Sequence, residues 1–298
     1  TACYPSSVLM NSIPAKIAGV KRIVMATPQK DLKLNPIIAK AAEIADIDLI
    51  YRVGGAHSIA ALAFGTNKIR PVNKIFGPGN AYVASAKKQV FGKVGIDLIA
   101  GPSEIVVVAD KYNNPEWVAS DLMAQAEHDE KSQSILITNN LEFAKKVINS
   151  IDKLIINLSK KNIIKKSLFQ YGSIILIDDF SQASKIINII APEHLHLQNR
   201  TKDKIFKNIE NAGAIFLGEY TSEAFGDYIV GTNHILPTSG SSKYSSGLGV
   251  LDFMKRTSYV QLNKNSSIKL QNDVSIMADI ESLDAHKLSV KIRQKDKK

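Results

Sequence analysis

RIVMATPQKDLKLNPIIAKAAEIADIDLIYRV, residues 22–53, decides the fold class. Arg22–Ala26 is a short apolar run suited to a buried strand, and Thr27-Pro28 ends it. Asn35-Pro36 supplies an N-cap and a first helical residue for IIAKAAEIADI, an alanine-rich amphipathic helix. Leu49–Val53 is the next strand, closed by Gly54-Gly55. Strand, helix and strand in this spacing imply an α/β fold, a parallel sheet with helices on its faces.

The same alternation runs outward from this unit. Ser58–Phe64 reads as helix, and Lys74–Phe76 leads through Gly77-Pro78-Gly79-Asn80 into a helix over Ala81–Phe91. Ile105–Ala109 (IVVVA), strongly β-branched, closes the unit as a strand. Asn114-Pro115 then opens a long helix reaching Asp129. Strands follow at Ser134–Thr138, Ser173–Ile177 and Ala214–Leu217, with helices over Leu141–Leu158 and Phe180–Ile190. From Glu219 to Gly249 the composition turns to Gly, Ser, Thr and Asn, and a loop this long in a compact domain is usually functional. Asp252–Lys298 reads as a small helical module. The expected division is 1–104, 105–248 and 249–298, without internal repeats.

With 298 residues, 45% hydrophobic and 22% charged, the chain has ordinary globular composition and room for two or three cores. No run reaches the roughly eighteen apolar residues of a membrane span, and no signal peptide is visible, so no membrane partner is expected. The start at Thr1, without Met and inside a patterned region, reads as a cut with residues upstream. The single cysteine, Cys3, precludes an internal disulfide and fits a reducing, cytoplasmic setting, with Cys3 as inert filler. The net charge of +10 raises nucleic-acid binding. However, lysine pairs such as Lys160-Lys161 and Lys165-Lys166 are dispersed among Ile and Asn, without aromatics to stack on bases. Solvated faces explain them, and no nucleic-acid partner is expected.

Six histidines stand at 57, 128, 194, 196, 234 and 286. Gln125 and His128 lie three apart on one helix face, where they form either a pair of metal donors or an ordinary polar turn. Pro192-Glu193-His194-Leu195-His196 has three readings. In a straight strand, His194 and His196 share a face and pair on a metal. In a turn after Pro192, Glu193 and His194 reach one pocket as an acid–base pair. On an edge strand, Glu193 is simply solvated. Asp227, between Gly226 and Tyr228 in the polar loop, is a charged ligand able to offset a dication, and His286 sits on a helix with Glu281 nearby. Two His, one Asp and one Gln suit zinc, manganese or cobalt. Gly77-Pro78-Gly79-Asn80 begins like a dinucleotide fingerprint but has Tyr82 where the third glycine belongs. A glycine turn opening a helix still offers N–H groups to phosphate.

These residues lie in VGGAHSIAALAFGT (53–66), KIFGPGNAYV (74–83), AGPSEIVVVAD (100–110), ASDLMAQAEHD (119–129), APEHLHLQ (191–198), GDYIVGTNHILPTSG (226–240) and ESLDAHK (281–287). On these motifs, in this order, the chain resembles the histidinol dehydrogenases from end to end. The resemblance implies two incomplete Rossmann-like parallel-sheet domains, a helical C-terminal module and a homodimer whose active site is shared. It implies oxidation of L-histidinol through the aldehyde to L-histidine with two NAD and one zinc. Gln125, His128, Asp227 and His286 correspond to the zinc ligands, His194 to the general base, and Glu193 to the residue that activates water. Ser103, Gln125, His128, His194, Asp227, Glu281 and His286 correspond to substrate contacts, and His57 and Asn80 to NAD contacts. There are two departures: the family usually has Gln where His57 stands, and its N-terminal segment, with an NAD-contacting Tyr, is expected upstream of Thr1. A zinc hydrolase using Glu193, and an inactive homologue, are the rival expectations; none of the ligand or base positions is lost.

Overall fold

Glu104–Val108 is the centre of the molecule's largest sheet, and Ile105–Ala109 are wholly buried. Five β-branched or small apolar side chains in a row can be buried on both faces of a parallel sheet. The run Ile105–Ala109, which follows the first strand–helix alternation in the chain, is the middle strand of this five-stranded sheet, and the strand begins at Glu104. The computed structural model describes residues 4–28 and 33–294. Cys3, with the reading made of it, and the lysines beyond 294 lie outside them.

The first region runs α1 (Pro5–Ile17), β1 (Val24–Ala26), α2 (Pro36–Ile44), β2 (Leu49–Tyr51), α3 (Gly55–Phe64), β3 (Lys74–Ile75), α4 (Ala81–Val90) and β4 (Gly95–Ile96). β1 pairs with β2 and β3 with β4, both parallel. Asn35 caps α2 through its side chain, as its Asn-Pro signature implies. Ile59, Leu62, Ala63, Ile75, Val90 and Val94 form the local core.

The second region runs β5 (Glu104–Val108), α5 (Pro115–Ala126), β6 (Gln133–Thr138), α6 (Leu141–Leu154), α7 (Lys161–Tyr171), β7 (Ser173–Leu176), α8 (Ala183–Ile190), β8 (His194–Leu197), α9 (Lys202–Phe206), β9 (Ala214–Leu217) and α10 (Glu223–Tyr228). The strand order is β7-β6-β5-β8-β9, every neighbour parallel. This is the doubly wound order, with the crossover reversing direction between β5 and β8. Alternate residues of β5 serve opposite layers. Val106 and Val108 pack with Leu195, Leu197, Ala183 and Ile187 on the α8 side, while Ile105 and Val107 pack with Val118, Ala119, Leu122 and Phe143 on the α5–α6 side. Each such fully buried Val or Ile is worth about 1.5–3 kcal/mol relative to exposure.

Glu219–Gly249, expected to be loop, contains α10. Its glycine supplies the reason: a Cβ on Gly226 would meet the Phe216 ring of β9 at 2.5 Å, so only glycine allows this turn to rest on the sheet. α7 and α9 also form without having been marked in the sequence.

Met254 ends one contact unit, and Lys255–Lys298 forms another. Within the second, α11 (Lys264–Ile280) and α12 (Asp284–Lys291) join through Ser282, which takes φ +57°. The helical module expected over Asp252–Lys298 consists of these helices, and between the 3-10 turn Val250–Phe253 and α11 residues 254–263 are not helical. Among the described residues, no helix is long and apolar enough to cross a membrane.

Candidate active site

β8 is a central strand with unusual polarity. His194 pairs with Ile105 and His196 with Val107, so His194 and His196 face α5 while Leu195 and Leu197 face α8. α5 answers with Asp121 and Gln125, one turn apart and both buried. A polar seam therefore crosses an otherwise apolar layer.

The two histidines do different things. His196 is completely buried. Its Nε2 donates to the Gly218 carbonyl at 2.8 Å, and its Nδ1 lies 3.1 Å from the Gln198 amide nitrogen and 3.2 Å from the Asp121 carboxylate. Both ring nitrogens are thus occupied, which removes the reading that pairs His194 with His196 on a metal. The edge-strand reading fails as well, because β8 lies between β5 and β9. Ala191 in the left-handed region ends α8 and turns the chain at Pro192, and Glu193 Oε2 comes to stand 3.7 Å from His194 Nδ1.

His194 is also buried, and its Nδ1 lies 3.2 Å from the Glu104 carbonyl. A carbonyl only accepts, so Nδ1 carries a proton and Nε2 is the working nitrogen. Nε2 is buried without a hydrogen-bond partner among the described residues, 3.8 Å from Asp227 Oδ1. Burial lowers the His194 pKa, but the carboxylates of Asp227, Glu223 and Glu193 outweigh it and raise the value to about 10. Glu193 Oε2 accepts from the Glu104 N–H at 2.9 Å and stands 3.7 Å from His194 Nδ1. Burial raises its pKa to about 7.

Asp227 comes from α10, one turn beyond Glu223. Burial pushes its carboxyl up, but the imidazoles of His194, His234 and His128 hold it below its ordinary range. The loop is anchored beside it: His234 Nδ1 donates to the Asp227 carbonyl at 3.1 Å, and the Asn233 amide donates to Met10 of α1 at 2.8 Å. Gln125 is fully buried, and its amide is satisfied with nitrogen 3.1 Å from both Glu223 oxygens and oxygen 3.3 Å from the Glu104 N–H. His128, just past α5, is exposed at the residue level, and dehydration of its ring lowers its pKa. Ser103 precedes β5 half-buried.

Thus Gln125, His128, Glu193, His194 and Asp227 converge at the amino ends of β5 and β8. Doubly wound sheets ordinarily bind ligands at the opposite, carboxyl edge. Two residues the sequence reading missed join them. Glu104 is buried, with Oε1 accepting from Ser239 N at 3.1 Å and Oε2 unpartnered among the described residues, and burial raises its pKa. Glu223 is 2% exposed, and burial, then the charges of Asp227, Asp121 and Glu193, raise its pKa to about 8 against the lowering effect of His194. The signal for Glu104 was a charged residue opening a wholly apolar strand; for Glu223 it was the four-residue spacing to Asp227.

Elsewhere in the first unit, Asn80 caps α4, its Oδ1 accepting from Val83 N at 3.1 Å, and His57 is exposed in the first turns of α3. In the second unit, Glu281 is the exposed C-cap of α11 and His286 is exposed on α12. Among the described residues, no three His, Cys, Asp or Glu side chains stand together ready to hold a metal. A donor set of Gln125, His128 and Asp227 contains only two of those types. Its chemistry still suits a hard or borderline dication: an ionised Asp, a dehydrated imidazole and an amide oxygen whose orientation Glu223 fixes.

Residues 1–294 match the family model described as histidinol dehydrogenase. The histidinol dehydrogenase of Brucella suis is 53% identical over 293 residues, covering 98% of this chain and 68% of the relative. That of Agrobacterium fabrum is 52% identical with the same coverage. The crystal structure of histidinol dehydrogenase from Elizabethkingia anophelis superposes with a TM-score of 0.94 at 38% identity, covering 99% of this chain and 68% of that one.

Proposed function

The chain belongs to the histidinol dehydrogenase family, oxidoreductases of histidine biosynthesis, and we propose that it oxidises L-histidinol through the aldehyde to L-histidine in two NAD-linked, zinc-dependent steps. The observation that carries this reading is His194, with one nitrogen pinned by the Glu104 carbonyl and the other buried beside Asp227 and unpartnered among the described residues. Gln125, His128 and Asp227 would hold zinc, and the family resemblance implies His286 as the fourth ligand. Zinc, when bound, supplies Lewis-acid anchoring for the substrate's imidazole and amine, and NAD supplies the hydride acceptor.

The chain's own groups move protons and orient the substrate. Nε2 of His194 takes the alcohol proton as hydride leaves the adjoining carbon. The surrounding carboxylates raise the His194 pKa, and a cation held at Asp227 would offset part of their charge and favour the neutral imidazole that a base needs. Glu193, with a pKa near 7, takes a proton from the water that adds to the aldehyde. Ser103 and Glu281 would contact the substrate. Asn80 and His57 would contact NAD: the Asn80 oxygen is committed to capping α4, which leaves its NH2 to donate outward.

The family resemblance further supports a homodimer in which His286 and Glu281 complete the partner's site. The deciding experiment supplies zinc, L-histidinol and NAD and follows reduced nicotinamide by absorbance. Two reduced nicotinamides per histidine formed uphold the reading. A hydrolase or an inactive homologue would leave NAD unreduced.

A further inference from the structure

The turn Gly77-Pro78-Gly79-Asn80 joins β3 to α4, and its first residue is held on both sides by a buried ion pair. Lys87 of α4 and Asp97, just past β4, have side chains only 3% exposed. Asp97 Oδ2 accepts from the Gly77 N–H at 2.7 Å, while its Oδ1 pairs with the Lys87 ammonium. The same ammonium donates to the Gly77 carbonyl at 2.9 Å. The N–H and C=O of a single residue are thereby closed into one ring with both charges. Gly77 takes φ +108°, a conformation open to glycine and strained for other residues.

Burying two charges is expensive, and an apolar pair of similar size would fill the space at least as well. What an apolar pair cannot do is fix the direction of a peptide on each side of Gly77. Three residues on, Asn80 is exposed, its oxygen bound to Val83 N and its amide nitrogen without a partner among the described residues. The ring therefore sets the base of an exposed arch whose far end presents a donor.

We propose that Lys87 and Asp97 are positioning residues for the dinucleotide, holding Gly77 so that the arch and the Asn80 amide keep a fixed shape. This rests on the reading of Asn80 as an NAD contact. Neither residue touches the substrate or the reacting atoms. Their loss should act on NAD affinity, leaving metal content and affinity for histidinol unchanged.

The test replaces the pair together, Lys87→Met with Asp97→Leu, so that no lone charge is left buried. NAD binding is measured by calorimetry, and KM and kcat are measured for both substrates. The expected result is a Kd and KM for NAD raised tenfold or more, with KM for histidinol within twofold. A folded double variant whose NAD Kd stays within twofold overturns the proposal, even if its melting temperature falls. Should the double variant not fold, Asp97→Asn decides, since it keeps an acceptor for Gly77 N–H but loses the charge. It should raise the NAD Kd about threefold, and an unchanged Kd overturns the proposal. Asn80→Ala in the same titration separates the two ideas. If it weakens NAD while the pair variants do not, only the ring's role fails. If it leaves NAD binding unchanged, the NAD site reading fails and the proposal with it.

Discussion

Nδ1 of His194 donates to the main-chain carbonyl of Glu104 across 3.2 Å, from the first residue of β8 to the first residue of β5. Strand pairing, which puts His194 beside Ile105, fixes this contact independently of any ligand. It determines the tautomer, and with it which nitrogen is left for another partner.

His194→Asn keeps a polar side chain of similar reach but offers no basic nitrogen. Zinc content and histidinol binding should be retained while kcat falls by about 10²–10⁴. Elemental analysis and steady-state kinetics on one preparation check this; a variant retaining a tenth or more of wild-type kcat would remove His194 as the base.

Glu193→Gln should slow oxidation of histidinal more than oxidation of histidinol, since only the second step consumes water. The checking measurement supplies each substrate separately. Equal losses on both would mean that Glu193 serves the geometry of the pocket through Glu104 N–H and has no particular role with water.

Gly226→Ala places a methyl 2.5 Å from the Phe216 ring, so α10 must lift or the ring must move. A cost of about 1–3 kcal/mol is expected, as for overpacking elsewhere. Because Asp227 is the next residue, zinc affinity measured by chelator competition should fall as well. A stable variant with wild-type metal affinity would show that α10 tolerates displacement.

Glu223 should make the metal-free protein pH-sensitive. Its folded pKa of about 8 lies above the ordinary 4.5, so the folded state resists ionisation that the unfolded chain accepts. The stability that Glu223 contributes is therefore fullest below about 4.5 and is lost as pH rises through about 8. Glu223→Gln removes that decline, and by pH 8 the metal-free variant should be more stable than wild type by roughly 1–3 kcal/mol. Thermal melts of both proteins across this range, in chelator, provide the comparison; parallel curves would refute it.

Sharing of the active site between subunits is tested by mixing two inactive variants, His194→Asn and His286→Ala. A mixed dimer with shared sites contains one site bearing both defects and one bearing neither, so activity should reappear. Demonstrated mixed dimers without activity would leave each chain to complete its own site.

Much of the fold was legible because its signals are local. Asn35-Pro36 and Asn114-Pro115 open helices through their own side chains, and Ile105–Ala109 has no stable place except a buried strand. Ala214–Leu217 is a strand as read. What was not legible depends on distant partners. That β5 is the central strand of its sheet could not be read locally, because its neighbours β6 and β8 come from distant parts of the chain, His194 of β8 being 90 residues beyond Glu104. α10 forms in a stretch rich in glycine and serine because Phe216 offers it a surface.

The candidate site divides in the same way. The sequence by itself determined the alternation His194-Leu195-His196-Leu197, which sets polar groups on one face of a strand. Only the tertiary structure decided that His196 is spent on Asp121, Gln198 and Gly218, while His194 is left with a free nitrogen beside Asp227. It alone added Glu104 and Glu223, which are ordinary surface residues by composition. The physical reason is that a histidine's role depends on what its two nitrogens meet, and a carboxylate's pKa on whether water reaches it. Both are properties of packing between segments, and the local order of residues does not contain them.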